Sequence, residues 1–226
     1  VFENRSASAD FVPMWGFSCF IDELGIMFDT GSNYRILKHN MKMLNIPIEN
    51  VSSLFLSHFH WDHVGGALDF CMDTRSLDVF LLSSFSPRFI ESLKLSGCKT
   101  HVIDTPTKLC SCVSTGILDG IVPEHGLIVP THKGPILITG CAHPGIITMT
   151  ERAMELTKER LFGVIGGFHL LNSAPKEILE IAYYLNEVVT GFVAPCHCTG
   201  ETAISILKQR LKDKFVEVRC GTEVLI

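Results

Sequence analysis

The apolar run VSSLFLS, residues 51–57, ends directly on His58-Phe59-His60-Trp61-Asp62-His63, with Gly65 and Gly66 just beyond. A short apolar run of this kind reads as a buried strand. Four potential metal ligands packed behind it are hard to explain by packing alone. Imidazole nitrogen and carboxylate oxygen suit borderline divalent metals such as zinc. His58 and His60 stand two apart, so on extended backbone they point the same way. Asp62 and His63 follow one turn later, and the glycines let the backbone pass close by. One tetrahedral ion rarely takes four ligands from so short a loop. Two adjacent ions can share them, His58 and His60 on one, Asp62 and His63 on the other. Such a chain must then bring further ligands to this strand end.

Three later histidines meet that requirement in the same way, each after a strand-like run. ILITGCAHPG carries His143, VIGGFHL carries His169 and FVAPCHCTG carries His197. Side chains at the ends of several strands converge on one cleft in α/β folds. His143 and His197 are the expected distant ligands, whereas His169 is either a ligand or a substrate contact. Asp29, in FDTG, also ends a strand and is expected to orient a ligating histidine through a hydrogen bond. His39, His101 and His132 lie in a helix, a strand and a turn without ligand-type neighbours, and read as structural or surface residues. His125, in PEHGL, is open.

The order of elements fits this picture. CFID (19–22) and IMFD (26–29) flank the turn ELG as a hairpin, and 33–45 has helical spacing with Pro47 beyond. Strands are expected at 78–84 and 99–104, with a helix between them that starts at Ser86-Pro87 and stops at Gly97. The centre, 107–139, is β-rich, with THKG (131–134) as a hairpin turn. A helix over 146–158, a strand over 161–167, a helix over 174–189, a strand over 192–195 and a helix over 201–212 follow, then two short strands. Alternation in both halves around a β-rich centre predicts a layered α/β fold with two sheets inside helices. No Pro-, Gly- or Ser-rich linker interrupts it, so residues 1–226 are expected to form a single domain.

Composition narrows the function. The chain of 226 residues is 46% apolar and 19% charged, which excludes disorder. Its net charge of −5 and pI near 6.0, with scattered Lys and Arg, disfavour nucleic-acid binding. No apolar run approaches the ~18 residues of a membrane span, and no secretory signal is visible. The chain opens at Val1 on VFENRS, which reads as a strand, so a few leading residues are expected to be missing. Nine cysteines at irregular spacings include the C-x-C pairs Cys110/Cys112 and Cys196/Cys198. Neither pair is the C-x₂-C of structural zinc modules, and the set reads as reduced thiols of a cytoplasmic protein.

FDTG, SHFHWDH and the His-bearing strand ends at His143 and His197, in that order, resemble the metallo-β-lactamase superfamily. The resemblance implies a four-layer αβ/βα sandwich with two mixed sheets and a metal pair at the edge between them. ILITGCAHPGI, VIGGFHL, PCHCTG and HNM (39–41) are similar to a narrower branch, that of the dihydropterin-methyl-ribofuranosylaminobenzene phosphate synthases. Many superfamily members carry a bridging Asp in a TGD-like context, where this chain reads TGCAH (139–143). Either Cys141 takes the bridging place or His143 ligates two residues later, and His143 is preferred.

The expectation is a metal-dependent hydrolase holding two divalent ions, zinc with manganese or iron as alternatives. A metal-activated hydroxide would attack, with Asp62 ligating and orienting it. His169 would contact the substrate or protonate the leaving group. The resemblance favours a small phosphorylated substrate, such as a phosphoester. The alternatives are a pterin-phosphate synthase-like transferase, an iron-dependent thiol oxygenase and a metal-containing binding module without turnover. No visible pattern encodes the oligomeric state.

Overall fold

The computed structural model of the protein describes residues 1–74 and 76–226. It divides into two compact units, Val1–Asp104 with Arg219–Val224, and Thr105–Val218 with Leu225–Ile226.

The first unit begins with the hairpin β1 (Cys19–Ile21) and β2 (Ile26–Phe28), joined by one 3-10 turn that Gly25 closes in the left-handed region. Helix α1 (Tyr34–Met43) follows, and its Asn33 cap accepts from the N–H groups of Arg35 and Ile36. Next come β3 (Ser53–Phe55), the short α2 (Trp61–Val64) and α3 (Ala67–Thr74), then β4 (Asp78–Leu81), α4 (Pro87–Leu95) and β5 (Lys99–Val102). The sheet order is β1-β2-β3-β4-β5, antiparallel at the hairpin and parallel thereafter. Met27, Phe28, Leu54 and Phe55 are fully buried, as parallel strands covered on both faces require. Phe28 stacks on Phe55 with ring centroids 5.3 Å apart, which helps fix the β2–β3 register.

The second unit opens with an antiparallel ladder of β6 (Thr107–Leu109), β7 (Cys112–Ser114), β8 (Leu127–Val129) and β9 (Ile136–Thr139). The expected THKG turn joins β8 to β9, closed by the Gly134 N–H donating to the Thr131 carbonyl. Helix α5 (Ile146–Thr157), β10 (Leu161–Gly167), α6 (Pro175–Val188), β11 (Val189–Cys196) and α7 (Glu201–Leu211) complete it. The order is β11-β10-β9-β8-β7-β6, with β9, β10 and β11 parallel. The core gathers Leu137, Met149, Val164, Ile178, Leu185 and Leu207, the apolar faces of sheet and helices. Each unit is thus a mixed sheet flanked by helices, the α/β class expected.

Three expectations need correction. Helices α2 and α3 were not anticipated: Gly65 and Gly66 suggest a break, yet Ala67, Phe70 and Cys71 bury a helical face just after them. The two strands expected after residue 212 reduce to isolated bridges, Phe215 to Val193 and Cys220 to Ser6. Charges at Lys212–Lys214, Glu217 and Arg219 leave that segment no continuous apolar face to pair. The opening VFENRS likewise pairs only through single bridges, at Phe2 and Ser6. Among the described residues, no helix is long and apolar enough to cross a membrane, and the nine cysteines form no disulfide.

Candidate metal centre

In the first unit, β3 delivers the His cluster. Ser57 ends the extended run, and helix α2 turns immediately, so Asp62 and His63 lie on its first turn while His58 and His60 stay on the approach. His58 and His63 are fully buried, Asp62 is buried and His60 is half-buried. The rings of His58 and His60 lie 4.8 Å apart and those of His58 and His63 4.2 Å apart. His58 Nε2 faces His60 Nδ1 at 3.2 Å. His63 Nε2 lies 3.8 Å from Asp62 Oδ2. All four residues of the motif, quite apart from any metal, are therefore brought to one spot.

The FDTG loop holds them there. Asp29 Oδ2 is 2.7 Å from His63 Nδ1, and the same carboxylate accepts from the Ser57 N–H and hydroxyl at 2.8 and 2.7 Å. Ser57 Oγ in turn contacts His58 Nδ1 at 2.9 Å. Thr30, which sequence reasoning missed, donates its N–H and its hydroxyl to the His63 carbonyl at 2.8 and 2.9 Å. Asp29 itself takes a left-handed conformation with φ 54°, a shape Asp tolerates better than most residues. Burial pushes the Asp29 carboxyl up, against the lowering influence of His63 and of the Ser57 hydrogen bonds. Gly16 completes the packing. A Cβ there would sit 2.5 Å from the Asp62 carbonyl oxygen, so only glycine lets that segment cross the cluster.

In the second unit, the ends of β9, β10 and β11 carry Cys141, His143, His169, His197 and Cys198. Cys141 is the hub: its sulfur lies within 4.8 Å of ligand atoms on His143, His169, His197 and Cys198. The His143 and His169 rings are 4.5 Å apart. Ala142, His169 and His197 all have positive φ, at 59°, 53° and 52°. Three such residues at three adjacent strand ends concentrate backbone strain at one place, as functional sites often do. His169 is exposed, whereas His143, His197 and both cysteines are buried.

Glu124, like Thr30, carries no signal in the sequence. It is fully buried, and its Oε1 accepts from the N–H groups of Gly140, Cys141 and Ala142 at 2.9–3.0 Å. Its Oε2 accepts from the His143 N–H at 3.0 Å and faces His143 Nδ1 at 2.9 Å. One carboxylate thus shapes the whole TGCAH turn. Its partners lie 16 to 19 residues away, so no local pattern marks it. His125, next to it, is buried with Nδ1 3.0 Å from Ser114 Oγ. His39 contacts the Asp10 carbonyl and His101 contacts Asp78, and both lie outside either cluster.

Electrostatics mark the two residues beside His197 and His143. Burial pushes the Cys198 thiol up, yet hydrogen bonds with Cys141 and His169 and the charge of His197 hold it well below its ordinary value. The hydrogen bond to Cys198 raises His169, against burial.

Residues 20–74 match the model of the metallo-beta-lactamase superfamily. The chain is 24% identical over 242 residues to 7,8-dihydropterin-6-methyl-4-(beta-D-ribofuranosyl)-aminobenzene-5'-phosphate synthase of Methanocaldococcus jannaschii, covering 87% of this chain and 82% of that protein. It is 32% identical over 147 residues to ribonuclease Z of Lactobacillus acidophilus, covering 56% of this chain and 46% of that one. Among solved structures, Tm1679, a metal-dependent hydrolase of the beta-lactamase superfamily, superposes with a TM-score of 0.83 at 27% identity, over 100% of this chain and 96% of that chain. By motif in its first third and by fold along its length, the chain resembles the metallo-β-lactamase superfamily and has that superfamily's fold.

Proposed function

We propose that the protein is a metal-dependent hydrolase of small phosphoesters, with His58, His60, Asp62, His63, His143 and His197 as ligands of two divalent ions, zinc or manganese. The observation that carries this reading is the set of outer hydrogen bonds on the histidines. His58 Nδ1 is engaged by Ser57, His63 Nδ1 by Asp29 and His143 Nδ1 by Glu124. An imidazole held through Nδ1 by an acceptor keeps its Nε2 lone pair for a metal, and a carboxylate partner makes that nitrogen more basic. The donor set therefore fits a borderline divalent ion.

When bound, such an ion acidifies water and polarises an ester oxygen. The chain's own residues do the rest. Asp62 holds the attacking water by accepting its hydrogen. Asp29 and Glu124 lock the rings of His63 and His143, so that the ligands need no reorganisation. The name of Tm1679 supports hydrolysis, and the phosphate in the name of the M. jannaschii relative supports a phosphorylated substrate. Nine unbridged cysteines support a reducing, cytoplasmic setting. The net charge of −5 weighs against a large RNA substrate.

The test is a panel of phosphomonoesters and phosphodiesters offered to the zinc- or manganese-loaded full chain. Turnover that falls by roughly 100-fold or more in His60→Ala supports the reading. A second reading, a synthase joining a pterin to a phosphoribosyl compound, rests on the M. jannaschii relative's name and on its match to 87% of the chain. Silence on every ester, with product formed from those two substrates, would replace the first reading by the second.

A further inference from the structure

The second unit holds a group of donors that the hydrolase reading leaves unused. Cys141 Sγ, Cys198 Sγ and a ring nitrogen of His169 all lie within 4.8 Å of one another. Both cysteines are buried, and His169 is exposed. Around a tetrahedral zinc, thiolate and imidazole ligands stand ~3.5–3.8 Å apart, given bond lengths of ~2.3 and ~2.1 Å. From separations of at most 4.8 Å, the three donors need to draw in by roughly 1 Å or less to share one ion.

Local structure keeps them close. Cys198 Sγ approaches the Cys141 carbonyl at 3.5 Å, which fixes the two turns against each other. Gly167, at the end of β10, is what permits this. A Cβ there would meet Cys198 Sγ and the Gly140 carbonyl oxygen, both at 2.5 Å, and Cys141 Cα at 3.1 Å. His169 reaches the pair from a left-handed backbone, φ 53°. Packing alone explains two buried thiols, but it does not explain an exposed imidazole turned onto them from a strained conformation.

We infer that Cys141, Cys198 and His169 form a soft-donor metal site, suited to a zinc-class ion bound through two thiolates and one imidazole. His169 is then a ligand, one of the two roles its position after a strand leaves open, rather than a substrate contact. The site uses none of the six ligands assigned to the hydrolytic centre, but Cys141 Sγ also lies within 4.8 Å of ligand atoms on His143 and His197, so a thiolate signature and not metal uptake alone distinguishes it from that reading. Binding releases the two thiol protons, because a thiolate is the ligand.

The test is cobalt(II) titration of the reduced, metal-stripped full chain carrying His58→Ala and His60→Ala, which removes imidazoles of the other set. The expected result is a thiolate-to-cobalt charge-transfer band in the near ultraviolet that saturates with the added ion. Adding Cys198→Ser cuts the band by about half or more and weakens cobalt binding at least tenfold, and adding Cys141→Ser as well removes the band, while far-ultraviolet circular dichroism is unchanged. Should Cys198→Ser fail to fold, His169→Ala in the same background serves, with a shifted and weakened band expected. Cobalt bound without a thiolate band, or a band that survives Cys141→Ser and Cys198→Ser together, overturns the inference.

Discussion

Asp29 Oδ2 lies 2.7 Å from His63 Nδ1, and both side chains are fully buried. The carboxylate comes from the end of β2 and the imidazole from the first turn of α2, so two parallel strands and a loop must be in register for the contact to exist. Replacing Asp29 by Asn keeps the shape and removes the charge. Metal affinity is expected to fall by ~10–100-fold, as for other carboxylates behind ligating histidines. Competition titration against a chromophoric chelator measures it, with circular dichroism as the check on folding.

Glu124 is expected to matter for stability as well as for the site. Glu124→Ala leaves the N–H groups of Gly140, Cys141, Ala142 and His143 without their buried acceptor. Hydrogen bonds to a charged group are worth ~1.5–3 kcal/mol, so a loss of about 3 kcal/mol or more is expected in urea unfolding. A loss under ~1 kcal/mol would mean that the turn holds its shape without the carboxylate.

Gly167→Ala tests the close approach at the end of β10. The added methyl collides with Cys198 Sγ and the Gly140 carbonyl. A destabilisation of ~1–3 kcal/mol is expected, typical of overpacking. An unchanged unfolding midpoint would show that the strand ends move apart freely.

Stability should also fall at alkaline pH. Burial pushes the Cys112 thiol up from 9.0 to about 11. Between those values the unfolded chain has lost this proton and the folded chain keeps it. The unfolded state then binds fewer protons, so raising the pH favours unfolding. The contribution is complete below pH 9 and is lost as pH climbs to about 11. Urea midpoints measured across this range should decline, and Cys112→Ala should flatten the decline.

The sequence carried the strands well where an apolar run and a chemical marker coincide. VSSLFLS before His58 contains β3, over its middle Ser53–Phe55 only, and ILIT before Cys141 is β9, because buried parallel strands read as continuous apolar runs. The histidines were legible for the same reason, each sitting where such a run stops. What was not legible is what depends on tertiary distance. Glu124 is an unremarkable residue of a loop until the TGCAH turn folds over it. Thr30 matters only once the His63 carbonyl arrives beside it. Cys198 looks like half of an irregular C-x-C pair until Cys141 and His169 come from other strands. Helix α3 was hidden by the two glycines before it, since a local breaker outweighs a short amphipathic pattern when packing is unseen.

The most direct test of the central claim is metal content in the protein expressed without supplementation, compared with His60→Ala. About two zinc or manganese ions are expected at the imidazole set of the native chain, with a clear loss in the variant. Elemental analysis beside Cys141→Ser/Cys198→Ser protein separates any thiolate-bound ion from that count. A His60→Ala chain that keeps its full metal complement and its activity would contradict the assignment.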